Sequence, residues 1–387
     1  MYVSIILPGT LTIQGGALSQ EDNGIIMRRL STSSAQIASN KELADIVHRF
    51  SPGIDYAFGY GSGVFRQTAV NTDPGMIDII LAVDDPHVWH ERNLQRHSNH
   101  YSSMARLGGP RFISWVQTKF GARLYFHPFV NMNINNVAQR QLKYGLVSSD
   151  DMIRDLIHWD YLYLAGRMHK PIVSIELSPP SSNEKIKSNR TDEIDHAQRT
   201  NLLSAVSASL LLHSSSYDEE RNSSISTSNL YNTIAGLSYS GDVRMQIGAE
   251  DPNKVNKLVE TPGMIERWDE KYFDTIRNLQ SVGLLSMVVS NSSSISTNLE
   301  TNLSDISIRK QLVQNLPLRL RNHSDLIVGS IDKPESLLQG SLILRQELAK
   351  IVAPAARSQS IKGFFTAGMV KSWRYAMAKF SKGVLRK

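Results

Sequence analysis

The sequence predicts an α+β protein, with strands and short helices over its first half, helices over its second, and an amphipathic helix at its end. Three observations carry this. Two short apolar segments, Asp55 to Tyr60 and Ile77 to Val83, flank a Gly-Ser-Gly turn and read as buried strands. From Ala197 onward apolar residues recur at helical spacing. From Gly363 to Val384, at 100° per residue, Phe365, Met369, Trp373, Ala376, Met377, Phe380 and Val384 fall within an arc of about 120°, with Lys371, Arg374, Lys379, Lys382 and Arg386 opposite.

A chain of 387 residues exceeds one ordinary core and suggests two domains with tails. The expected division is a presequence or disordered N-terminus over 1–40, a mixed α/β domain over 41–190, a helical domain over 191–345 and a basic tail over 346–387. The leader combines apolar sequence with Arg28, Arg29 and several Ser and Thr, the composition of a mitochondrial presequence.

Asn40 to Phe50 is expected as an amphipathic helix with Asn40 as its cap, ended by Ser51-Pro52-Gly53. After the two strands, Asp84-Asp85-Pro86 starts a helix or turn through His90. Leu124 to Val130 reads as a strand whose Pro128 favours an edge or a strand end, and Leu142 to Leu146 as a short strand or turn. Ser148 to Ala165 reads as one helix, leading through Arg167 and Lys170 to a strand from Ile172 to Leu177. Ser178 to Thr191 has the composition of a linker. Helices are expected over Ala197–Leu212, Ser228–Leu237, Val255–Val259 and Met264–Leu279, and a surface loop over Ser286–Asp305.

Charge separates the chain into body and tail. Nine of the 42 Lys and Arg lie between Leu348 and Lys387, where there is no acid, leaving 33 basic against 36 acidic residues elsewhere. A basic amphipathic tail on a slightly acidic body fits an anionic membrane surface, met in the plane of the interface by Phe365, Lys371, Trp373, Arg374, Phe380 and Lys382; it argues against nucleic acid as partner. No apolar run approaches twenty residues, so no transmembrane helix is expected. The absence of cysteine excludes disulfides and thiolate-bound zinc. His87, His90, His97 and His100 have possible ligand spacings, but no third-ligand signature accompanies them.

The chemistry concentrates at the glycine turn. Gly61 and Gly63 lack a Cβ, so the backbone N–H groups of Gly61, Ser62 and Gly63 can approach a triphosphate. Asp78, Asp84 and Asp85 on the second strand could hold the accompanying Mg²⁺, and Arg167 and Lys170 leave a helix where cations can be aimed at phosphates.

Eight ordered blocks from about residue 45 to the C-terminus resemble the mitochondrial phosphatidate cytidylyltransferases, the mitochondrial translocator assembly and maintenance family. They are Tyr60-Gly-Ser-Gly-Val-Phe-Arg-Gln67, Met76-Ile-Asp78, Asp84-Asp-Pro-His-Val-Trp-His90, His100-Tyr-Ser102, Lys143-Tyr-Gly145, Tyr163-Leu-Ala-Gly-Arg-Met-His-Lys-Pro171, Ala235-Gly-Leu-Ser-Tyr-Ser-Gly-Asp-Val-Arg-Met245 and Ser360-Ile-Lys-Gly-Phe-Phe-Thr-Ala-Gly-Met369. The resemblance implies a nucleotidyltransferase-fold domain joined to a winged-helix-like domain, peripheral to the matrix side of the mitochondrial inner membrane. It implies that CTP and phosphatidate become CDP-diacylglycerol and pyrophosphate, for cardiolipin synthesis. By the same implication Gly61, Ser62 and Gly63 hold the triphosphate, Asp78 the Mg²⁺, and Lys170 and Arg167 neutralise phosphates. Nucleotidyltransferases of this fold usually carry two aspartates one residue apart, and here Asp78 has Met76 and Ile80 at those positions. A second ligand is therefore sought in Glu176, Asp84 or Asp85, although Asp84 lies roughly 20 Å along the strand. Two other readings remain: nucleotidyl transfer to RNA or protein, against which the acidic body counts, and a non-catalytic assembly factor, against which Gly61, Ser62, Asp78 and Lys170 count.

Overall fold

A computed structural model describes residues 40–65, 75–134, 138–177, 184–213, 223–242, 251, 253–288, 298–329 and 335–367. The leader and the tail beyond 367 lie outside the described residues, as do the side chains of the last helix beyond residue 362.

The chain forms a mixed α+β structure. Helix α1 (residues 40–47) buries Leu43, Ile46 and Val47. Asn40 stands inside this helix with its Oδ1 unpartnered, so it does not serve as the cap expected of it. There follow β1 (Ile54–Tyr60), β2 (Ile77–Val83), α2 (Pro86–Arg96), α3 (Ser103–Lys119), β3 (Tyr125–Ile134), β4 (Ala138–Ser148), α4 (Ser149–His158), α5 (Leu164–Met168), β5 (Val173–Ser174) and α6 (Glu184–His213). One five-stranded sheet results, in the order β3-β4-β2-β1-β5. Its only parallel pair is β2 with β4; the others are antiparallel.

The continuous apolar character of β1 and β2 comes from burial on both faces. Ile77, Ile79 and Leu81 face α1 and Trp89 of α2, while Phe58, Ile80 and Ala82 join the core formed with α4 and α6. That core runs on without a break through Leu230, Trp268 and Leu312 to Leu348 and Val352, so the sheet and the later helices share one interior. β3 is an edge strand, and Pro128 sits at an irregularity in its pairing beside Phe129, whose φ is 54°. The missing N–H of proline therefore falls where the ladder is already interrupted.

The later chain adds β6 (Ser223–Ser226), α7 (Thr227–Leu237), α8 (Lys254–Glu260), α9 (Met264–Ser281), β7 (Ser286–Val288), β8 (Asn298–Thr301), three short helices α10 (Ile306–Gln314), α11 (Leu318–Arg321) and α12 (Ser324–Val328), and α13 (Glu335–Ala367). Strands β6, β8 and β7 make a small antiparallel sheet, and two of them, β7 and β8, lie in the region expected to be a surface loop. Its inward residues, Ile225 and Leu299, are too few for their alternation to emerge from a Ser- and Asn-rich background. Two further expectations are corrected. The polar sequence after Glu184 is the first turns of α6 rather than linker, and the segment around Leu142, expected as a short strand or turn, is part of a longer strand of 11 residues.

The helix expected from Ser148 to Ala165 is broken, and one carboxylate breaks it. Trp159 and Leu162 have φ values of 52° and 51°, which no α-helix accommodates. The buried Asp155 accepts the N–H groups of Tyr161 and Leu162 through Oδ1 at 2.7 and 2.9 Å, and those of Tyr163, Leu164 and Ala165 through Oδ2 at 3.0, 2.8 and 3.2 Å. Burial pushes the Asp155 carboxyl up, and the five donors pull it back toward the ionised form that alone can accept from all of them. Asp155→Asn turns an amide NH₂ toward these donors and is expected to cost on the order of 3 kcal/mol or more. An unchanged urea midpoint in that variant would remove Asp155 as the organiser of this turn.

Candidate active site

Strand register assembles the site. Tyr60 at the end of β1 stands opposite Asp78 near the start of β2, and Asp78 stands opposite Lys143 on β4. The chain then turns at Gly61, whose φ is 80°, and the N–H groups of Val64 and Phe65 close that turn onto Gly61 O at 3.1 Å each. A Cβ at Gly63 would lie 2.0 Å from Met76 O, so only glycine allows the turn to pack against the entry to β2. A Cβ at Gly61 would point at Asp78 Oδ2, 3.6 Å away. Turn and carboxylate are therefore adjacent, as the sequence suggested.

Around them gather cations. Lys143 Nζ lies 3.3 Å from Asp78 Oδ1 and 4.8 Å from the centre of the Phe126 ring. Asp78 Oδ1 is buried and makes no hydrogen bond, so this is an ion pair with capacity to spare on the carboxylate. Burial disfavours the Lys143 ammonium, yet its pKa is raised because Tyr60 and Asp78 more than offset that cost. Burial also raises the Tyr60 phenol and keeps it neutral at pH 7, so Asp78 is the partner that matters there.

Arg167 comes from α5 on the Asp155 turn. It donates to Tyr163 O at 3.2 Å and Tyr163 Oη at 3.1 Å, and lies over the rings of Tyr163, Tyr60 and Phe126 at 4.0, 5.4 and 5.7 Å. Its Nε is buried without a partner. Three residues on, Lys170 Nζ donates to Gly166 O at 2.6 Å and Ser238 Oγ at 2.9 Å, over the Tyr239 ring at 5.0 Å. Although part of its surface is open, the dense surroundings push its pKa down to about 7, with Arg167 and Lys254 adding repulsion. Behind it, His169 is pushed down to about 3 by burial and stays neutral, its Nε2 donating to Asn201 Oδ1 at 2.9 Å.

The later helices close the far side. Lys254 of α8 lies over the Tyr239 ring at 5.7 Å, and Arg267 of α9 over the ring of Phe65, next to the glycine turn, at 4.8 Å. Lys271 of α9, one of the charges that lower His169, is itself pushed down to about 8 by burial. Lys143, Lys254, Arg267 and Lys271 are additions to the residues singled out from sequence. Only Lys143 left a signal, as a lone charge inside an apolar strand; the other three are distant in the chain and converge through tertiary packing.

Several candidates are not brought to Asp78. Asp84 is exposed at the opposite end of β2 and pairs with Arg190 at 3.6 Å, while Asp85 caps α2 by accepting from His87 and Val88 N–H at 2.7 and 3.1 Å. Glu176 is exposed, and the bond from Ile175 N to Ala57 O at 2.9 Å places it toward the start of β1, away from the turn. Among the described residues no three His, Asp or Glu side chains form a metal cluster. Three of the four histidines near α2 bond to neighbouring groups instead: His90 to Tyr101 and Gln117, His97 to Arg49 O, and His100 to Tyr144. Phe365, Lys371, Trp373, Arg374, Phe380 and Lys382 lie outside the described side chains.

A family model described as phosphatidate cytidylyltransferase, mitochondrial, matches residues 43–382. The chain belongs to that family. Proteins of that name from Schizosaccharomyces pombe and Bos taurus are 33% identical over 362 residues and 35% over 349; the alignments cover 90% and 87% of this chain, and 84% and 92% of those proteins. The namesake from Danio rerio is 35% identical over 354 residues, covering 87% of this chain and 93% of that protein. The phosphatidate cytidylyltransferase match spans the glycine turn, the sheet, the cation-bearing helices and most of the tail.

With a pKa near 7, Lys170 is a cation below that pH and loses its charge above it. A bound polyphosphate favours the charged form, so the Lys170 contribution to anion affinity falls as pH rises through about 7. The ratio of wild-type to Lys170→Met affinity for pyrophosphate is expected to drop roughly tenfold per pH unit above that point. A ratio constant from pH 6 to pH 9, measured by calorimetry, would contradict it.

Proposed function

We propose that this chain is a mitochondrial phosphatidate cytidylyltransferase, converting CTP and phosphatidate into CDP-diacylglycerol and pyrophosphate. The observation that carries the reading is the convergence of a glycine turn, one carboxylate and a ring of lysines and arginines, in a chain of this family. The sheet order with Asp78 on its second strand supports a nucleotidyltransferase fold, and the β6-β8-β7 sheet amid short helices supports a winged-helix-like second unit.

A phosphate oxygen of phosphatidate attacks the α-phosphorus of CTP, a new P–O bond forms, and the bond to the β-phosphate breaks. Both reactants are anions, so the work of the protein is to bring them together and spread their charge. The N–H groups of Ser62 and Gly63 meet the triphosphate. Arg167 and Lys170 offer charge from the α5 side, and Lys254, Arg267 and Lys271 from the helical side. Neutral Tyr60 and the Phe126 ring border the partly exposed Asp78–Lys143 pair and lower its local dielectric, strengthening the interaction between them.

Asp78, whose Oδ1 is ion-paired with Lys143 but makes no hydrogen bond, fits a Mg²⁺ that would be held largely by substrate phosphates and water. Asp78 would hold it, and the ion would neutralise charge developing on the departing pyrophosphate. Lys143 holds Asp78 in place beside the glycine turn.

The tail supports attachment to an anionic surface, and among the described residues no helix is long and apolar enough to cross a membrane. The names of the relatives place them in the mitochondrion, and a substrate embedded in a bilayer fits peripheral attachment at the matrix side of the inner membrane.

Purified protein given labelled CTP, Mg²⁺ and phosphatidate vesicles should form CDP-diacylglycerol, and Asp78→Ala should lower the rate by about a thousandfold. Equal rates in the two proteins would refute the assignment. Deleting residues 368–387 leaves the anchoring residues of α13 in place; flotation with anionic liposomes should fall about tenfold while the urea midpoint holds. Unchanged flotation would exclude the tail as an anchor.

A further inference from the structure

The described fold carries a second basic and apolar surface, separate from the tail. From Arg92 to Ser149 the sequence has eight Lys or Arg and no Asp or Glu. Within that stretch α3 is kinked at Gly109, whose φ is 71° and ψ −177°, and Pro110 starts its second half. Both halves present large apolar side chains to solvent: Leu107 is 92% exposed, Met104 56% and Trp115 50%, with Phe120 47% just beyond the helix. Trp115 packs against Phe112 and edge-on against Phe120, with ring centres 6.2 and 5.0 Å apart, so these rings form one platform. Exposed Arg106, Arg111 and Lys119 rim it. Asp85, across a shallow groove from Arg111 and Trp115, spends its carboxylate on the start of α2.

The last helix docks at the same place. Lys362 of α13 donates through Nζ to Gln117 O at 3.0 Å and Phe120 O at 2.9 Å, satisfying carbonyls at the end of α3. Gln359 accepts from Ala122 N at 3.1 Å and donates to Leu124 O at 3.1 Å, and Gly121 leaves room for it. Between these two anchors Ile361 is 62% exposed. The basic tail therefore leaves the described fold beside the α3 platform, and two acid-free segments far apart in sequence meet on one side of the molecule.

We propose that the exposed face of α3, with Phe120 and Ile361, inserts into the surface of an anionic bilayer and forms a second membrane contact beside the tail. Two other occupants are disfavoured by charge. The tail is itself basic and would meet Arg106, Arg111 and Lys119 as like charges, and a second copy using the same face would do the same. An anionic lipid surface complements both segments at once, and the rings and Leu107 supply the apolar depth that such a contact needs. Single aromatic side chains on a surface are ordinary; a contiguous platform carrying three exposed cations on its own helix is not. This contact is independent of the chemistry assigned to the cleft.

The absence of cysteine makes the test direct, because Leu107→Cys gives the full-length chain one attachment point at a position open to solvent. An environment-sensitive fluorophore there should shift to the blue on adding vesicles of phosphatidylcholine with about one-third phosphatidylglycerol, and should be quenched by lipids carrying a spin label in the acyl chain. Emission that stays water-like while the protein floats with the vesicles would overturn the proposal. So would emission already blue-shifted before lipid is added and unchanged by it, the sign of a face covered by the tail or by another copy. As a second measurement, full-length protein with Leu107→Asp and Trp115→Asp should bind such vesicles about tenfold more weakly, with turnover of a soluble short-chain phosphatidate unchanged. Unaltered vesicle binding in that variant would also overturn it.

Discussion

The buried carboxylate of Asp155 is the interaction on which the cleft depends. By accepting five consecutive or near-consecutive backbone N–H groups it ends α4, holds Trp159 and Leu162 in left-handed conformations, and restarts the chain as α5 in a new direction. Tyr163 and Arg167 leave that restart together and lie over the end of β1, and Lys170 follows against Ser238. A straight helix through Ala165 would have no reason to turn these cations toward Tyr60. Each half of the arrangement supports the other: the donors justify an ionised carboxylate in the core, and the carboxylate justifies a backbone that would otherwise be strained.

The cleft that results is electrostatically uncomfortable. Lys170 and Lys271 are depressed by their surroundings, Arg267 is lowered by burial, and Lys143 is held up by Asp78 beside it. Cations gathered at this density, with Asp78 as the carboxylate among them, repel one another until an anion arrives. The energy needed to assemble them is supplied by the shared apolar core beneath, and it is returned when polyphosphate binds. Tyr60, Tyr163, Tyr239 and Phe126 offer their ring faces to the cations meanwhile, a weak interim solvation that an anion can outcompete.

The parts of the site that could be read from the sequence are those fixed by local chemistry. A Gly-Ser-Gly turn after an apolar strand and an aspartate at the entry to the next strand are adjacent whatever the rest of the chain does, and they are adjacent here. Asp84 and Glu176 could not be judged that way, because their usefulness depended on where the ends of β2 and β5 fall in the register. The break at Trp159 was hidden for a different reason. Apolar spacing continues across it, and the signal for the turn is one aspartate that looks like any helix-surface acid until it is found buried. The β6-β8-β7 sheet was hidden by composition, its polar strands pairing because Ile225 and Leu299 reach a core built by other segments. The α+β class and the strands around the turn were legible; the cations of α8 and α9 were not, since nothing local distinguishes Lys254, Arg267 or Lys271 from a solvated charge.

The site and the α3 platform are joined by one element. Near its middle α13 presses Ala349 against Gly241, where a Cβ would come within 2.8 Å of the alanine Cβ, and Gly241 belongs to the turn whose Ser238 receives Lys170. Thirteen residues later, about 20 Å at 1.5 Å per residue, the same helix binds the end of α3 through Lys362. The sheet and the later helices also share one apolar interior, threaded by the 30 residues of α6. Opening the cleft as a hinge between two units would pull that interior apart, at about 25 cal/mol for each Å² of apolar surface exposed. A lipid phosphate therefore has to reach the cations from the side, past segments that carry little core, and the turn from Ser238 to Asp242 is one of these. Because α13 braces that turn at one end and the α3 platform at the other, the distance between Lys170 and that platform is set by the fold itself.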